Sequence, residues 1–167
     1  MQFRKAVRAD LHAIMDIIKQ AQSALFVQGV NQWQDGYPNH EVVSLDIAAG
    51  KAYVCVIDGQ AAAFFVLTYE DETAYDNIYD GQWLSLDEYA VLHRIAVAEH
   101  HKGRGLATEI ICFAEQSCLD RGIHSIKIDT HSDNKPMQRL LAKNDFRYCG
   151  IIYLTDGQAR IAFEKCI

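Results

Sequence analysis

His93-Arg94-Ile95-Ala96-Val97-Ala98-Glu99-His100-His101-Lys102-Gly103-Arg104-Gly105-Leu106-Ala107-Thr108 reads as an apolar strand that runs into a basic, glycine-punctuated turn and then opens a helix. Backbone N–H groups in such a turn have no partner of their own, glycine lets a ligand come close to them, and the helix that follows presents its positive end. Lys102 and Arg104 add full charge beside those donors, so the natural guest is a phosphate or pyrophosphate. Two other phosphate-binding patterns do not fit. A dinucleotide fingerprint needs Gly-x-Gly-x-x-Gly, but Thr108 stands where the last glycine belongs and no acid is placed for a ribose. An ATP-hydrolysing loop needs Gly-x-x-x-x-Gly-Lys-Ser/Thr, which does not occur. The adjacent His100 and His101 cannot share a helix face, so no zinc pair and no other metal is expected.

The flanks supply a frame for this turn. A strand over residues 3–6 leads to Asp10, the expected N-cap of a helix to about Gln22, whose apolar stripe is Leu11, Ile14, Met15, Ile18 and Ala21. Residues 28–40, broken by Gly29, Gly36 and Pro38, read as irregular, and a short helix over residues 41–49 stops at Gly50. Asp58-Gly59 between apolar runs 52–57 and 61–68 predicts a hairpin. Residues 69–87, polar with acids and tyrosines, form an excursion too long for a plain connection.

In the strand over residues 88–97, Val91, His93, Ile95 and Val97 are expected on one face and Leu92, Arg94 and Ala96 on the other, with Arg94 in an ion pair to Asp129. A helix over 105–121 ends at Gly122, and Ile126 and Ile128 alternate with Lys127 and Asp129 in a strand over 125–130. A short helix over 135–144 carries Pro136 in its first turn, and residues 147–153 and 158–164 flank Asp156-Gly157 as a closing hairpin. The order β-α-α-β-β-β-α-β-α-β-β implies an α+β sandwich, one mixed, mostly antiparallel and twisted sheet with helices on both faces.

A chain of 167 residues fits one domain over 1–167. Its 50% hydrophobic and 23% charged residues exclude a disordered chain. No run approaches the roughly 18 apolar residues needed to cross a bilayer, and residues 1–5 do not resemble a secretory signal. The five cysteines are scattered and lack Cys-x-x-Cys spacing, so free thiols in a reducing cytoplasm are expected. A formal net charge of −6 excludes the broad basic face of a nucleic-acid binder and makes the basic turn stand out.

The turn resembles the acyl-coenzyme A signature of the GNAT superfamily of N-acetyltransferases, Gln/Arg-x-x-Gly-x-Gly/Ala after a strand. Here it reads His100-His101-Lys102-Gly103-Arg104-Gly105, with both glycines matched and His100 departing at the first position. A second segment, Asn134-Lys135-Pro136-Met137-Gln138-Arg139-Leu140-Leu141-Ala142-Lys143-Asn144-Asp145-Phe146, resembles the family's Asn-x-x-Ala-x-x-Leu-Tyr-x-Lys-x-Gly-Phe. Asn134, Leu140, Lys143 and Phe146 match; Met137, Leu141 and Asp145 do not.

The resemblance implies the GNAT fold, acetyl-CoA as cofactor, and acetyl transfer by direct attack of a primary amine carried by a small molecule or peptide. It implies that Ile95, Ala96 and Val97 meet the pantetheine arm and thioester through backbone groups freed where the strand splays. Lys102, Gly103, Arg104, Gly105, Leu106, Ala107 and Thr108 would hold the pyrophosphate, with His101 lending a backbone N–H. Asn134, Met137, Leu141 and Lys143 would meet the cofactor from the later helix.

Such a transfer needs a deprotonated amine, a polarised carbonyl and a proton for the departing thiolate. His93 is the candidate base, because an imidazole titrates near working pH and the strand period places it with Ile95 and Val97. A histidine satisfied within the sheet is the equal alternative, His131 is a second candidate, and water-relayed deprotonation is a third route. The family's proton-donating tyrosine is replaced by Leu141, which cannot donate. A thiol's ordinary pKa of roughly 8.5 allows unaided departure; Tyr148 is the candidate acid, with Tyr153 nearby. By resemblance Gln32, Trp33 and Tyr37 wall the acceptor pocket and Trp83 closes it, the alternative being aromatic cover over the core. Glu70, Asp71, Glu72, Asp76 and Asp80 would draw in a cationic amine, the commoner alternative for such a run being a solvated loop. A non-catalytic CoA-binding sensor is the rival reading, with transfer of a longer acyl chain a third. A C-terminal hairpin at the sheet edge would suit a homodimer.

Overall fold

The protein, described over residues 1–167 by a computed structural model, contains seven strands and four α-helices in the expected order. These are β1 (Gln2–Lys5), α1 (Leu11–Val27), α2 (His40–Ala48), β2 (Ala52–Ile57), β3 (Gln60–Thr68) and β4 (Ala90–Val97), then α3 (Leu106–Leu119), β5 (Ser125–Thr130), α4 (Lys135–Lys143), β6 (Arg147–Tyr153) and β7 (Ala159–Cys166). They form one open, mixed sheet in the order β1-β2-β3-β4-β5-β7-β6. The β1-β2, β2-β3, β5-β7 and β6-β7 pairs are antiparallel and β4-β5 is parallel. Two compact units divide the chain, one made of Met1–Leu67 with His93–Phe113, the other of Thr68–Leu92 with Ala114–Ile167. No helix is long and apolar enough to cross a membrane.

In the first unit, Asp58 and Gly59 take φ of 51° and 78°, the left-handed pair that a tight hairpin between β2 and β3 requires. The register that follows pairs Tyr53 with Phe65 and Val54 with Phe64, so neighbouring pairs face opposite ways. On one face Ala52, Val54, Phe64 and Val66 pack with Ile14 and Ile18 of α1 and Val43 of α2. On the other, Tyr53 and Phe65 stack with centroids 5.4 Å apart, beside Phe3 and Phe113 of α3. Fully burying an aliphatic or aromatic side chain of this size contributes about 1.5–3 kcal/mol, so both faces of the hairpin hold helices against it.

Asp10 stands at the N-cap position of α1, as expected, but its side chain makes no capping bond to the helix. Its carboxylate accepts the Val7 N–H at 2.8 Å and both terminal nitrogens of Arg4 at 2.7 and 2.8 Å, closing a short 3-10 turn (Arg8–Asp10) that precedes the helix. The helix also outlasts the expected end at Gln22, since Leu25 is still buried and the first left-handed residue is Gly29. Asn39 does cap α2, its Oδ1 accepting the Val42 N–H at 3.0 Å.

In the second unit the alternation of β5 is misleading. Lys127 and Asp129 suggest a wet face, yet Lys127 is only 4% exposed. Its ammonium lies 4.1 Å from the Trp83 ring centroid and 3.7 Å from that of Tyr89. The excursion supplies this cover: Tyr75 stacks on Trp83 at 5.7 Å and donates its hydroxyl to Asp129 at 2.6 Å. Burial pushes the Lys127 ammonium down from its ordinary pKa and the Tyr75 phenol well up. Opposite Lys127 in the β5-β7 register, the wholly buried Glu164 accepts from Ser125 Oγ at 2.6 Å and the Leu84 N–H at 2.5 Å. The excursion also reaches β6: Tyr79 and Ile151 exchange two backbone bonds of 2.8 Å, and the Gln82 N–H donates to the Cys149 carbonyl at 2.8 Å. A Cβ on Gly81 would stand 1.9 Å from that carbonyl oxygen, so only glycine permits this approach.

Candidate active site

The recorded pairing of β4 with β5 covers its first two residues, Ala90↔Ile126 and Val91↔Lys127. Further along, Arg94 takes φ +52°, left-handed backbone in the middle of a strand. That is the signature of a bulge, and a bulge breaks the two-residue period. The two-residue period is interrupted at Arg94; on either side of it His93, Ile95 and Val97 are half-buried, whereas Ala96 and Ala98 are buried. Arg94 does not pair with Asp129. Its Nη1 lies 3.1 Å from Asp46 Oδ2, its Nε donates to Tyr37 Oη at 2.8 Å, and its guanidinium sits 5.4 Å from the Tyr37 ring centroid. Asp129 instead accepts from Tyr75, with Arg160 Nε 4.0 Å away.

After β4 the chain makes a 3-10 turn, Glu99–His101, held to α1 where Gln20 Oε1 accepts the Glu99 N–H at 2.7 Å. The backbone N–H expected from His101 is used inside this turn, donating to the Ala98 carbonyl at 2.9 Å. Lys102 likewise donates to Glu99 at 3.1 Å, and the Thr108 N–H returns to Gly105 at 2.9 Å. Between them, the N–H groups of Gly103, Arg104, Gly105, Leu106 and Ala107 make no main-chain bond. Gly103 and Gly105 have φ of +75° and +81°, and a Cβ on either would meet nothing within 4 Å. Backbone conformation, not crowding, reserves both places for glycine. Leu106 is buried and anchors the start of α3, while Lys102 and Arg104 are exposed. The His101 imidazole lies below its ordinary range through lost hydration and then through the charges of His100 and Arg104.

The same unit holds three of the acceptor-side candidates. Trp33, at φ +63°, packs with Ile17, Ala96 and Ala98, which sets it against the end of β4. Tyr37 meets Arg94 as described, and the Gln32 carbonyl accepts from Gln34 Nε2 at 3.0 Å. Asp46 escaped the sequence reading, because no periodicity links a helix acid to a strand arginine so distant in the chain.

In the second unit, Asn134 caps α4 by accepting the Met137 N–H at 3.2 Å. Met137 is half-buried, Leu141 fully buried and Lys143 exposed. Trp83 donates its Nε1–H to the Tyr75 carbonyl at 3.0 Å, in the cover over Lys127. His131 Nδ1 accepts the Asp133 N–H at 3.1 Å. Tyr148 is 54% exposed on β6 and edge-on to Phe163 at 5.8 Å.

A bulged strand leading through a twice left-handed, basic turn into a helix, set in an open mixed sheet, defines a class of enzymes that take acyl groups from coenzyme A. The sequence profile of the acetyltransferase (GNAT) family matches residues 12–146, and the chain belongs to that family. The family uses acetyl-CoA. A solved GNAT-family acetyltransferase from Streptococcus agalactiae 2603 is similar with a TM-score of 0.91 and 34% identity, over 99% of this chain and 95% of that one. The PaiA N-acetyltransferase of Thermoplasma acidophilum, solved in complex with coenzyme A, shares the fold at a TM-score of 0.74 and 14% identity, over 99% and 98% of the two chains. Streptothricin acetyltransferase of Escherichia coli is 33% identical over 69 residues, 41% of this chain. The match spans 40% of the length of that curated relative.

Proposed function

We propose that the enzyme moves an acetyl group from acetyl-CoA to a primary amine of a small molecule or peptide by direct attack. The observation that carries this reading is the turn at Gly103 and Gly105, where five successive N–H groups lack main-chain partners beside Lys102 and Arg104. Such a donor set fits a pyrophosphate. Residues 102–108 would hold it, mainly through the N–H groups of residues 103–107, and Ile95, Ala96 and Val97 would meet the pantetheine arm. The family motif assigns Asn134, Met137 and Lys143 to the same cofactor; Leu141, fully buried, offers it apolar contact at most. When bound, acetyl-CoA supplies an activated acyl thioester.

His93, half-buried one residue before the bulge, is the base that takes the proton of the incoming ammonium. Leu141 leaves the family's proton-donor position empty of any donor, and Tyr148 is the candidate acid. Gln32, Trp33 and Tyr37 wall the acceptor side, with Trp83 a further candidate. Five free thiols suit a reducing compartment, so we place the enzyme in the cytoplasm.

The test follows release of CoA thiol from acetyl-CoA across a panel of amines, amino acids, peptides and streptothricin, the compound in the E. coli relative's name. Turnover of at least one amine is expected. Tight binding of acetyl-CoA in calorimetry with no thiol release from any of them would replace this reading by a non-catalytic sensor.

A further inference from the structure

Building on the acceptor side as just read, we infer that Arg94 is a positioning residue: its guanidinium ties the acceptor-side segment, residues 28–39, and α2 to the bulge of β4. It thereby sets where Trp33 and Tyr37 stand beside the reacting strand.

The backbone is the first observation. Among the non-glycine residues with left-handed φ, Trp33, Asp58, Asp80 and Asp145 lie outside strands, and Arg94 alone lies within one. Glycine adopts that conformation without strain, whereas an L side chain does so at a cost. What occupies the position is a long cation that donates to Tyr37 and pairs ionically with Asp46.

The fork is the second. Nε donates to Tyr37 Oη at 2.8 Å while Nη1 lies 3.1 Å from Asp46 Oδ2, and the two charged side chains are only 18% and 13% exposed. The directed Nε–H bond fixes the phenol, and the charge of the same guanidinium draws the Asp46 carboxylate in as an ion pair, so one side chain holds both partners at the strand. A lysine ammonium carries the charge but not the directed Nε bond. Partial burial strengthens the ionic contact relative to one in water.

The segment itself is the third. Residues 28–39 contain no helix or strand; Val30 is buried at one end, Asn39 caps α2 at the other, and side chains of α1 and β4 hold the middle. Gln22 Nε2 of α1 donates to the Tyr37 carbonyl at 3.0 Å and reaches the Pro38 carbonyl at 3.4 Å, and Gln34 Nε2 donates to the Gln22 carbonyl at 3.1 Å. Trp33 packs against the cluster of Ile17, Ala96 and Ala98. The segment is thus strapped to α1 on one side and to Arg94 on the other. Cutting the Arg94 strap releases the wall of the acceptor side and leaves the glycine turn as it was.

Trp33 reports on this directly, since the chain has two tryptophans and Trp83→Phe leaves Trp33 alone. In that background Arg94→Gly keeps the backbone conformation and deletes the fork. We expect a red shift of Trp33 emission, about twofold greater acrylamide quenching, and at least tenfold faster hydrogen exchange across residues 28–39, with exchange across 147–166 unchanged. In the otherwise native chain, Arg94→Gly should raise KM at least fivefold for the amine that gives the fastest thiol release, with KM for acetyl-CoA within twofold. Arg94→Lys should restore part of both effects. Asp46→Asn, a milder change that keeps volume, should show the same pattern at reduced size and serves where Arg94→Gly does not fold. Unaltered Trp33 quenching and exchange in these variants would overturn the positioning role, as would faster exchange spread evenly over the chain. If the Trp33 signals move while KM for the amine stays put, the strap stands and the assignment of residues 28–39 to the acceptor falls.

Discussion

At Gly103 a φ of +75° coexists with open space around the place a Cβ would occupy. The cost of a side chain there is conformational, about 1–2 kcal/mol and more for a β-branched residue, and it falls on the turn rather than on the core. Gly103→Val should weaken acetyl-CoA binding tenfold or more in calorimetry while the melting temperature shifts by only a few degrees. Unchanged affinity would remove the turn from the cofactor site. His93→Ala should lower turnover roughly a hundredfold or more while acetyl-CoA binding in calorimetry stays within about twofold. Unchanged turnover would return His93 to a structural role. The glycines were legible in sequence because their spacing names a turn. Which N–H groups the turn would consume was not, and the backbone donor expected at His101 is taken by Ala98.

Elements were read well in order and type, and less well where one residue serves two elements. Asp10 holds the N-cap position of α1, yet its carboxylate is used one turn earlier by Arg4 and Val7. The hydrogen bonds from Arg4 hold its carboxyl below the usual range, with the Val7 N–H acting in the same direction. A depressed carboxylate contributes stability above its ordinary pKa of about 3.9 and loses it as pH falls through the lowered value. Asp10→Asn should therefore cost up to about 1 kcal/mol in urea unfolding at pH 7, solvent screening at the part-exposed Arg4 keeping it small, and the deficit should shrink towards pH 2. In α4, Asn134 carries a cap that any short acceptor could supply. Asn134→Ala should lower stability by about 1 kcal/mol, whereas Asn134→Ser should keep most of the stability. If the family motif assigns the amide to the cofactor correctly, Ser will still lose affinity for acetyl-CoA. The period of β4 failed at Arg94 for a reason that pattern counting cannot see, a single left-handed residue inside a strand.

For the molecule as a whole, burial divides the thiols. Cys112 and Cys166 are exposed while Cys55, Cys118 and Cys149 are buried, and burial pushes Cys118 to about 12 and Cys149 to about 11. Maleimide at pH 7.5 should label the first two in the native protein and all five after denaturation. Labelling of Cys118 without denaturant would reveal local opening of α3. The order of the elements and the buried faces of the first unit follow from apolar spacing, but the second unit hides its core behind polar sequence. Residues 69–87 read as a polar excursion, because tyrosine and tryptophan side chains carry both a polar tip and a large covering face. Their backbone has a further part to play at β6. A bare sheet margin is a template on which any extended chain, including another copy of the protein, can assemble. By laying Tyr79 and Gln82 along Ile151 and Cys149, the molecule occupies that template with its own chain, so the same segment that shields a buried lysine also works as a built-in chain terminator against aggregation.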